Sequence, residues 1–293
     1  MLKIAIVTDI HHGPTSHNKE AGWNSLDALR RVIDCAIEEQ VDLLLDLGDH
    51  ISDTCAEADY IVATEVAELF KTFPGQRVHV IGNHDVANLD VADNEAIYGE
   101  SMQSRVVDLG VCRLIVWQPR VEITMGIGLP AAEPSLAWLV AALNADERPA
   151  IIATHVPLSG HSQTGNYYFE NNPKYASYPD HQRVRQAVEA TGKAALWLSG
   201  HVHWNTVTQI NNLPHITIQS LSERFTTFPK TAESWALLTL TDNELSLEVR
   251  GNDPFYVRLP FNRSGDKPWI TPTHTWTAAD FADFVTGQEQ EDA

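Results

Sequence analysis

Cysteine is scarce in this chain. Cys35, Cys55 and Cys112 are the only three in 293 residues, odd in number and far apart. That pattern excludes a disulfide framework and a CxxC metal site, and it suits a reducing compartment. Basic residues are also few, 20 Lys and Arg against 39 Asp and Glu, for a formal charge of −19. A surface this acidic repels a phosphate backbone and argues against a nucleic-acid polymer as partner. Its ordinary consequence is solubility, although some carboxylates are candidates for neutralisation by bound cations. No apolar run approaches the length of a membrane span, and no internal repeat or low-complexity tract is present. The opening MLKIAIVTD moves directly into a strand-like run, with no charged leader, long apolar stretch or small-residue cleavage site. No signal peptide is therefore expected, and the expected location is the cytoplasm.

What the chain does contain is short apolar runs alternating with segments of helical period. Ile4 to Val7 reads as a buried strand; Leu26, Leu29, Ile33, Ala36 and Ile37 follow at helix spacing, with Ser25 as N-cap. VDLLLDLGD at 41–49 is a second strand, Ile61 to Phe73 a second helix stopped by Pro74-Gly75, and RVHVIGN at 77–83 a third strand. This β-α-β-α-β opening predicts a helix-covered sheet with strand exits at its functional edge. A strand at 111–119, a helix at 133–146 and a strand at 150–155 follow. Residues 156–179 read as a long polar, aromatic loop, then a helix capped by Asp180 and a strand at 194–200. NTVTQI, HITIQS, SWALLTL and ELSLEVR are strands alone, expected to form a second sheet packed on the first. Residues 1–262 are read as one domain, and 263–293 as an extension ending in the acidic tail GQEQEDA.

Polar side chains collect where the strands stop. They are Asp9 and His11, then Gly48 and Asp49, then Gly82, Asn83, His84 and Asp85, then His155, and finally Gly200, His201 and His203. Strand side chains alternate faces, so an extended backbone would point Asp9 and His11 together, His201 and His203 together, and His12 away. The collection suits a pair of divalent cations. Asp49 can bridge two ions, neutral imidazoles complete the coordination without adding charge, and Asn83 can offer a carbonyl oxygen. All donors are oxygen or nitrogen, which favours Mn, Fe, Zn, Co or Mg over a thiolate zinc site. A single DxH or HxH is common in packed or solvated positions; the ordered set of five is what carries the signal.

These residues resemble the calcineurin-like metallophosphoesterase superfamily. The matching stretches are DIH at 9–11, GDHISD at 48–53, GNHD at 82–85, THVP at 154–157 and GHVH at 200–203. In length and layout the chain is most similar to the bacterial cyclic-nucleotide and glycerophosphodiester phosphodiesterases. The resemblance implies an α/β fold, a four-layer α-β-β-α sandwich of two mixed sheets flanked by helices. It implies two divalent metal ions, manganese or iron ahead of zinc, cobalt or magnesium. Asp9, His11 and His203 would hold one ion, Asn83, His155 and His201 the other, and Asp49 would bridge. Hydroxide generated there would attack phosphorus. His84 would contact the phosphate or leaving oxygen, and Asp85 would hold His84 in place. Asp53 would support the site from behind, and His50 is read as structural.

The implied activity is hydrolysis of a small phosphodiester such as a cyclic nucleotide or glycerophosphodiester. A phosphomonoester or a nucleotide diphosphate is the alternative on the same site, and a metal-free scaffold the alternative outside enzymes. Three loops would shape the pocket, carrying His17, Asn18 and Trp23; Asn88 and Tyr98; and His161, Tyr167, Tyr168 and Asn171. Of these, Asn88 and His161 follow metal motifs within a few positions and are the candidate substrate contacts. The late strands would serve either a homo-oligomer interface or closure of the core.

Overall fold

In a computed structural model, residues 1–14, 24–267 and 277–279 are described. His17, Asn18, Trp23 and the acidic tail lie outside the described residues. Twelve strands form two mixed sheets of six among those residues. The first sheet centres on the parallel strands β1 (Leu2–Val7), β2 (Leu43–Asp46) and β3 (Gln76–His79). The second is built on β5 (Arg113–Val116), β6 (Ala150–Ala153), β7 (Ala194–Ser199) and β9 (Leu213–Thr217), also parallel to one another. Antiparallel β4 (Arg105–Asp108) and β8 (Thr206–Ile210) close its two edges.

Alternation along each strand divides the core into layers. Ile4 and Ile6 of β1 meet Leu114, Val116, Ile151 and Ala153 of the opposite sheet. Ala5 and Val7, pointing the other way, join Leu29 and Ile33 of helix α1 (Ser25–Glu38). Ile115 and Ile152 likewise share their outer layer with Leu139 of α4 (Leu136–Asn144) and Val184 of α6 (His181–Thr191). Burial on both faces explains why these strands read as continuous apolar runs, and each such side chain contributes roughly 1.5–3 kcal/mol by leaving water. The expected four-layer α-β-β-α sandwich is the observed fold. No helix among the described residues is long and apolar enough to cross a membrane.

The expected assignment of the late strands is corrected. They do not form the second sheet, which is built mainly by the middle of the chain. β8 and β9 join that sheet, whereas β10 (Trp235–Leu240), β11 (Glu244–Arg250) and β12 (Phe255–Pro260) add to the first through β1. Sequence periodicity shows that a segment is a strand but carries no information about which open edge it completes. Residues 86–99, read as a loop, contain helix α3 (Val91–Tyr98), opened by a capping box of Asp90 and Asp93 and closed by Gly99. The cap of α1 is Asn24 rather than Ser25; its Oδ1 accepts from Leu26 N at 3.1 Å. The Ser25 hydroxyl instead lies 2.6 Å from His12 Nδ1.

Candidate metal centre

Parallel pairing brings the C-terminal ends of β1, β2 and β3 to one edge, and those of β6 and β7 to the facing one. The exits are tied across the sandwich: Leu221 N donates to Thr8 O at 3.0 Å and His201 N to Asp9 Oδ2 at 3.0 Å. Asp9 N and His11 N donate to Gly48 O and Asp49 O at 2.9 and 3.1 Å, so the first two exits run side by side.

Their backbone is not extended, which corrects the expected reason for the convergence. Asp9, His11, Asp49, His201 and His203 have φ of 52°, 47°, 56°, 68° and 53°, all left-handed. Pleat alternation therefore does not aim these side chains; successive tight turns do. Left-handed backbone costs a non-glycine residue about 1–2 kcal/mol, and such outliers concentrate at functional sites. Two glycines make room for the turns. A methyl group at Gly82 would strike the Asp49 carboxylate, and one at Gly200 would lie 2.6 Å from Asp9 Oδ2.

Two donor groups result. Asp9, His11, Asp49 and His203 place one donor atom each within 4.8 Å of one another, and Asp49, His155 and His201 do the same. Asp49 belongs to both. In the first group His203 Nε2 is 3.0 Å from Asp9 Oδ1 and 3.1 Å from His11 Nε2. In the second, His155 Nε2 is 3.2 Å from Asp49 Oδ2, 3.3 Å from Asn83 Oδ1 and 3.2 Å from His201 Nδ1. The far ring nitrogens are committed elsewhere: His155 Nδ1 donates to Leu47 O at 2.8 Å, and His201 Nε2 to Tyr175 O at 2.6 Å. Those carbonyls accept from the far nitrogens, so the near nitrogen of each ring, His155 Nε2 and His201 Nδ1, is the one left on the Asp49 side.

Burial and the two carboxylates set the electrostatics of these rings. Burial, reinforced by charge on His84 and His203, pushes His11 down to about 3, and burial beside His155 pushes His201 down to about 4. Burial also opposes charge on His155 and His203. There the Asp49 and Asp9 carboxylates outweigh it, holding the rings protonated up to about 9 and about 10. Each group thus sets one proton-holding and one neutral imidazole around a buried carboxylate. Buried Asp9 Oδ1 has the His203 ring as its ion-pair partner, at 3.0 Å.

His84 stands beside these groups. Its backbone N donates to Asp49 Oδ1 at 2.9 Å, and its Nδ1 pairs with Asp53 Oδ1. Burial opposes its charge, but Asp49 and the Asp53 hydrogen bond raise it to about 9. Asp49, Asn83, His84, His201 and His203 line one side of a cavity of about 550 Å³, within the range of small-ligand sites.

Residues 2–205 match the family model of the calcineurin-like phosphoesterases. The chain belongs to that family. Among solved structures it is similar to a dimetal phosphatase from Danio rerio, at 14% identity and TM-score 0.66, covering 89% of this chain and 99% of that one. It is also similar to the purple acid phosphatase PPD1 from yellow lupin seeds (Lupinus luteus), at 14% identity and TM-score 0.61, covering 94% of this chain and 57% of that one. GAP50, the anchor in the inner membrane complex of Plasmodium, shares the fold at 13% identity and TM-score 0.54, with 89% of each chain covered. No curated protein matches the sequence.

In this phosphoesterase the expected partner of His84 is corrected. Asp85 is buried and does not line the cavity; it accepts from Gly82 N, Asp49 N and His50 N at 2.8, 2.9 and 2.8 Å. It ties two loops together, while Asp53 holds His84. The Asp85 carboxylate is taken up by these three backbone donors and the His50 ring, and His84 Nδ1 pairs with Asp53 instead. His50 is buried between Asp46 and Asp85, with Nδ1 2.9 Å from Asp85 Oδ2, so its structural reading agrees with its setting. His79 Nδ1 adds a contact to Asp46 Oδ2 at 2.9 Å, and Tyr98, assigned to a pocket loop, packs against both rings.

The two candidate substrate contacts are not brought to the cavity. The Asn88 amide donates to Asp59 at 2.9 Å, and exposed His161 lies outside the lining. Tyr168 does line it, whereas Tyr167 stacks on Phe225 with centroids 3.8 Å apart. Sequence reading missed Glu223, buried with Oε1 3.5 Å from His203 Nδ1, in the place of a carboxylate that orients a histidine donor. It sits in no motif, so only the folded chain shows it.

Proposed function

We propose that this phosphoesterase hydrolyses a small phosphodiester with two divalent cations, one held by Asp9, His11, Asp49 and His203, the other by Asp49, Asn83, His155 and His201. The observation that carries the reading is the shared position of Asp49 in two donor groups, which reach one cavity through Asp49, His201 and His203 beside His84. The residues fit such ions. Asp9 and Asp49 are buried carboxylates with only imidazoles as charged partners among the described residues, His11 Nε2 and His203 Nε2 face each other at 3.1 Å, and all donors are oxygen or nitrogen. Manganese or iron suits this set ahead of zinc, cobalt or magnesium. When bound, two such ions offset charge on phosphoryl oxygens and make water a nucleophile near neutral pH.

The chain's own groups do the rest. Asp53 occupies His84 Nδ1 and keeps the ring charged, which leaves Nε2–H to bond the phosphate or to protonate the departing alkoxide. Asp85 holds the backbone of Gly82 and Asp49, and so the spacing between Asn83 and the bridging carboxylate. Cyclic nucleotides and glycerophosphodiesters are substrates of suitable size for the cavity. The three thiols are free, in keeping with a cytoplasmic location. GAP50 shows that this fold also serves as an anchor, so the fold alone does not support the enzyme reading; the complete donor set does.

Protein stripped with EDTA and reloaded with Mn²⁺ tests the reading. Bis(p-nitrophenyl) phosphate should be cleaved with a higher kcat/KM than p-nitrophenyl phosphate, and only after reloading. A preference for the monoester overturns the diester assignment, and absence of metal-dependent hydrolysis overturns the enzyme. Metal analysis separates the adjacent histidines. His11→Ala is expected to lose about one equivalent, since one group is left a donor short. His12→Ala should retain both, because His12 turns away to Ser25 and to Glu65 Oε2 at 2.7 Å. Equal loss in the two variants would refute the assignment.

A further inference from the structure

The cavity has a second wall with a different chemistry. Besides the metal donors, Val86, Ala87, Ile123, Met125, Tyr168 and Phe169 line the cavity with apolar and aromatic surface. Met125 is 82% exposed and Ile127, two residues on, 73% exposed. Such exposure on a loose loop would mean little, but this turn is pinned. Thr124 N and Gly128 N bond to Gly128 O and Thr124 O at 3.0 and 2.8 Å. Gly126 N donates to Tyr175 Oη at 2.8 Å, and Lys174 Nζ donates to Gly126 O at 2.6 Å. The same Tyr175 supplies the carbonyl that orients His201, so the apolar rim and a metal donor are held by one segment. Phe169 continues the wall to the reaction centre, its ring 5.2 Å from that of His201 and 5.0 Å from that of Tyr168. Beyond the metal donors the lining adds the His84–Asp53 pair and the carboxylate of Glu122, and among the described residues no Lys or Arg that would receive a further anion.

Resting on the phosphoesterase reading above, we propose that the substrate carries an uncharged aromatic group on the scissile phosphate, packed against Met125, Ile123, Tyr168 and Phe169. Rings and a thioether favour an aromatic occupant over a plain alkyl chain. A nucleobase meets the description. A second phosphate does not, because it would meet the Glu122 carboxylate and no Lys or Arg among the described lining residues, so the nucleotide diphosphate alternative is disfavoured. Met125 and Tyr168 are then specificity residues, acting on binding of the organic group.

Phosphonates test this without a bond that the enzyme breaks. With the Mn²⁺-loaded enzyme hydrolysing bis(p-nitrophenyl) phosphate, phenylphosphonate, methylphosphonate and 4-carboxyphenylphosphonate are compared as competitive inhibitors. Phenylphosphonate should have a Ki about tenfold or more below that of methylphosphonate, the scale expected from burying a ring. The added carboxylate should remove that gain. Met125→Asp, a change on an exposed side chain, should bring the phenyl-to-methyl ratio toward one and raise the KM of the diaryl substrate more than it lowers kcat. Equal Ki values, or an unchanged ratio in Met125→Asp, overturn the proposal while metal-dependent hydrolysis leaves the phosphoesterase reading standing. No hydrolysis by any metal-loaded preparation overturns both.

Discussion

Asp49→Asn is expected to lower kcat/KM for bis(p-nitrophenyl) phosphate by more than about 10⁴-fold, beyond the range for loss of one acid or base. The substitution keeps the shape of a buried side chain that lies 3.2 Å from His155 Nε2 and 3.9 Å from His11 Nε2. An amide oxygen can still accept from His84 N, and Asn tolerates the left-handed backbone at this position, so the turn survives. What is lost is the negative charge shared by both donor groups. Metal analysis should show content falling from two ions toward one or none, and near-ultraviolet circular dichroism should show the fold retained. Retention of both ions with near-normal turnover would remove Asp49 from the bridging role.

His84→Ala is expected to reduce kcat by about 10²–10⁴-fold and to leave both ions in place. The side chain belongs to neither donor group, and its Nδ1 is taken by Asp53. The effect should be larger on kcat than on KM, because the charged ring acts on charge that develops as the ester bond breaks. Asp53→Asn should fall between this variant and the unaltered enzyme. It keeps a group beside Nδ1 but removes one of the carboxylates that hold the imidazole protonated. If His84→Ala loses metal instead, the residue is a ligand and its assignment to the leaving group fails.

These two residues also show how differently parts of the site can be read. Asp49 and His84 stand in GDHISD and GNHD, and their types and order announce the chemistry before any folding is considered. Asp85 stands in the same motif, yet its role follows from three backbone N–H groups supplied by two loops, which no spacing rule encodes. Asp9 and His11 were legible as a pair, but for a reason the backbone does not obey. Alternation requires extended φ, and the chain leaves the strand at Val7 to pass through left-handed residues. Glu223, Tyr168 and Met125 lie outside every motif and reach the site through loops.

The sequence by itself determined where the buried strands lie, though not their ends, the layered α/β architecture and the identity of the metal-donor candidates. Apolar period is a local property, and glycine with carboxylate and imidazole at successive strand exits leaves few other chemistries. Only the tertiary structure decided the sheet to which each late strand belongs, the ring orientations set by the Leu47 and Tyr175 carbonyls, and the partner of His84. It also decided the apolar part of the cavity lining. Each depends on contacts between residues tens to more than a hundred positions apart, such as His155 with Leu47 at a separation of 108. Such pairings arise when two sheets close on one another, and they leave no mark in the local pattern of either partner.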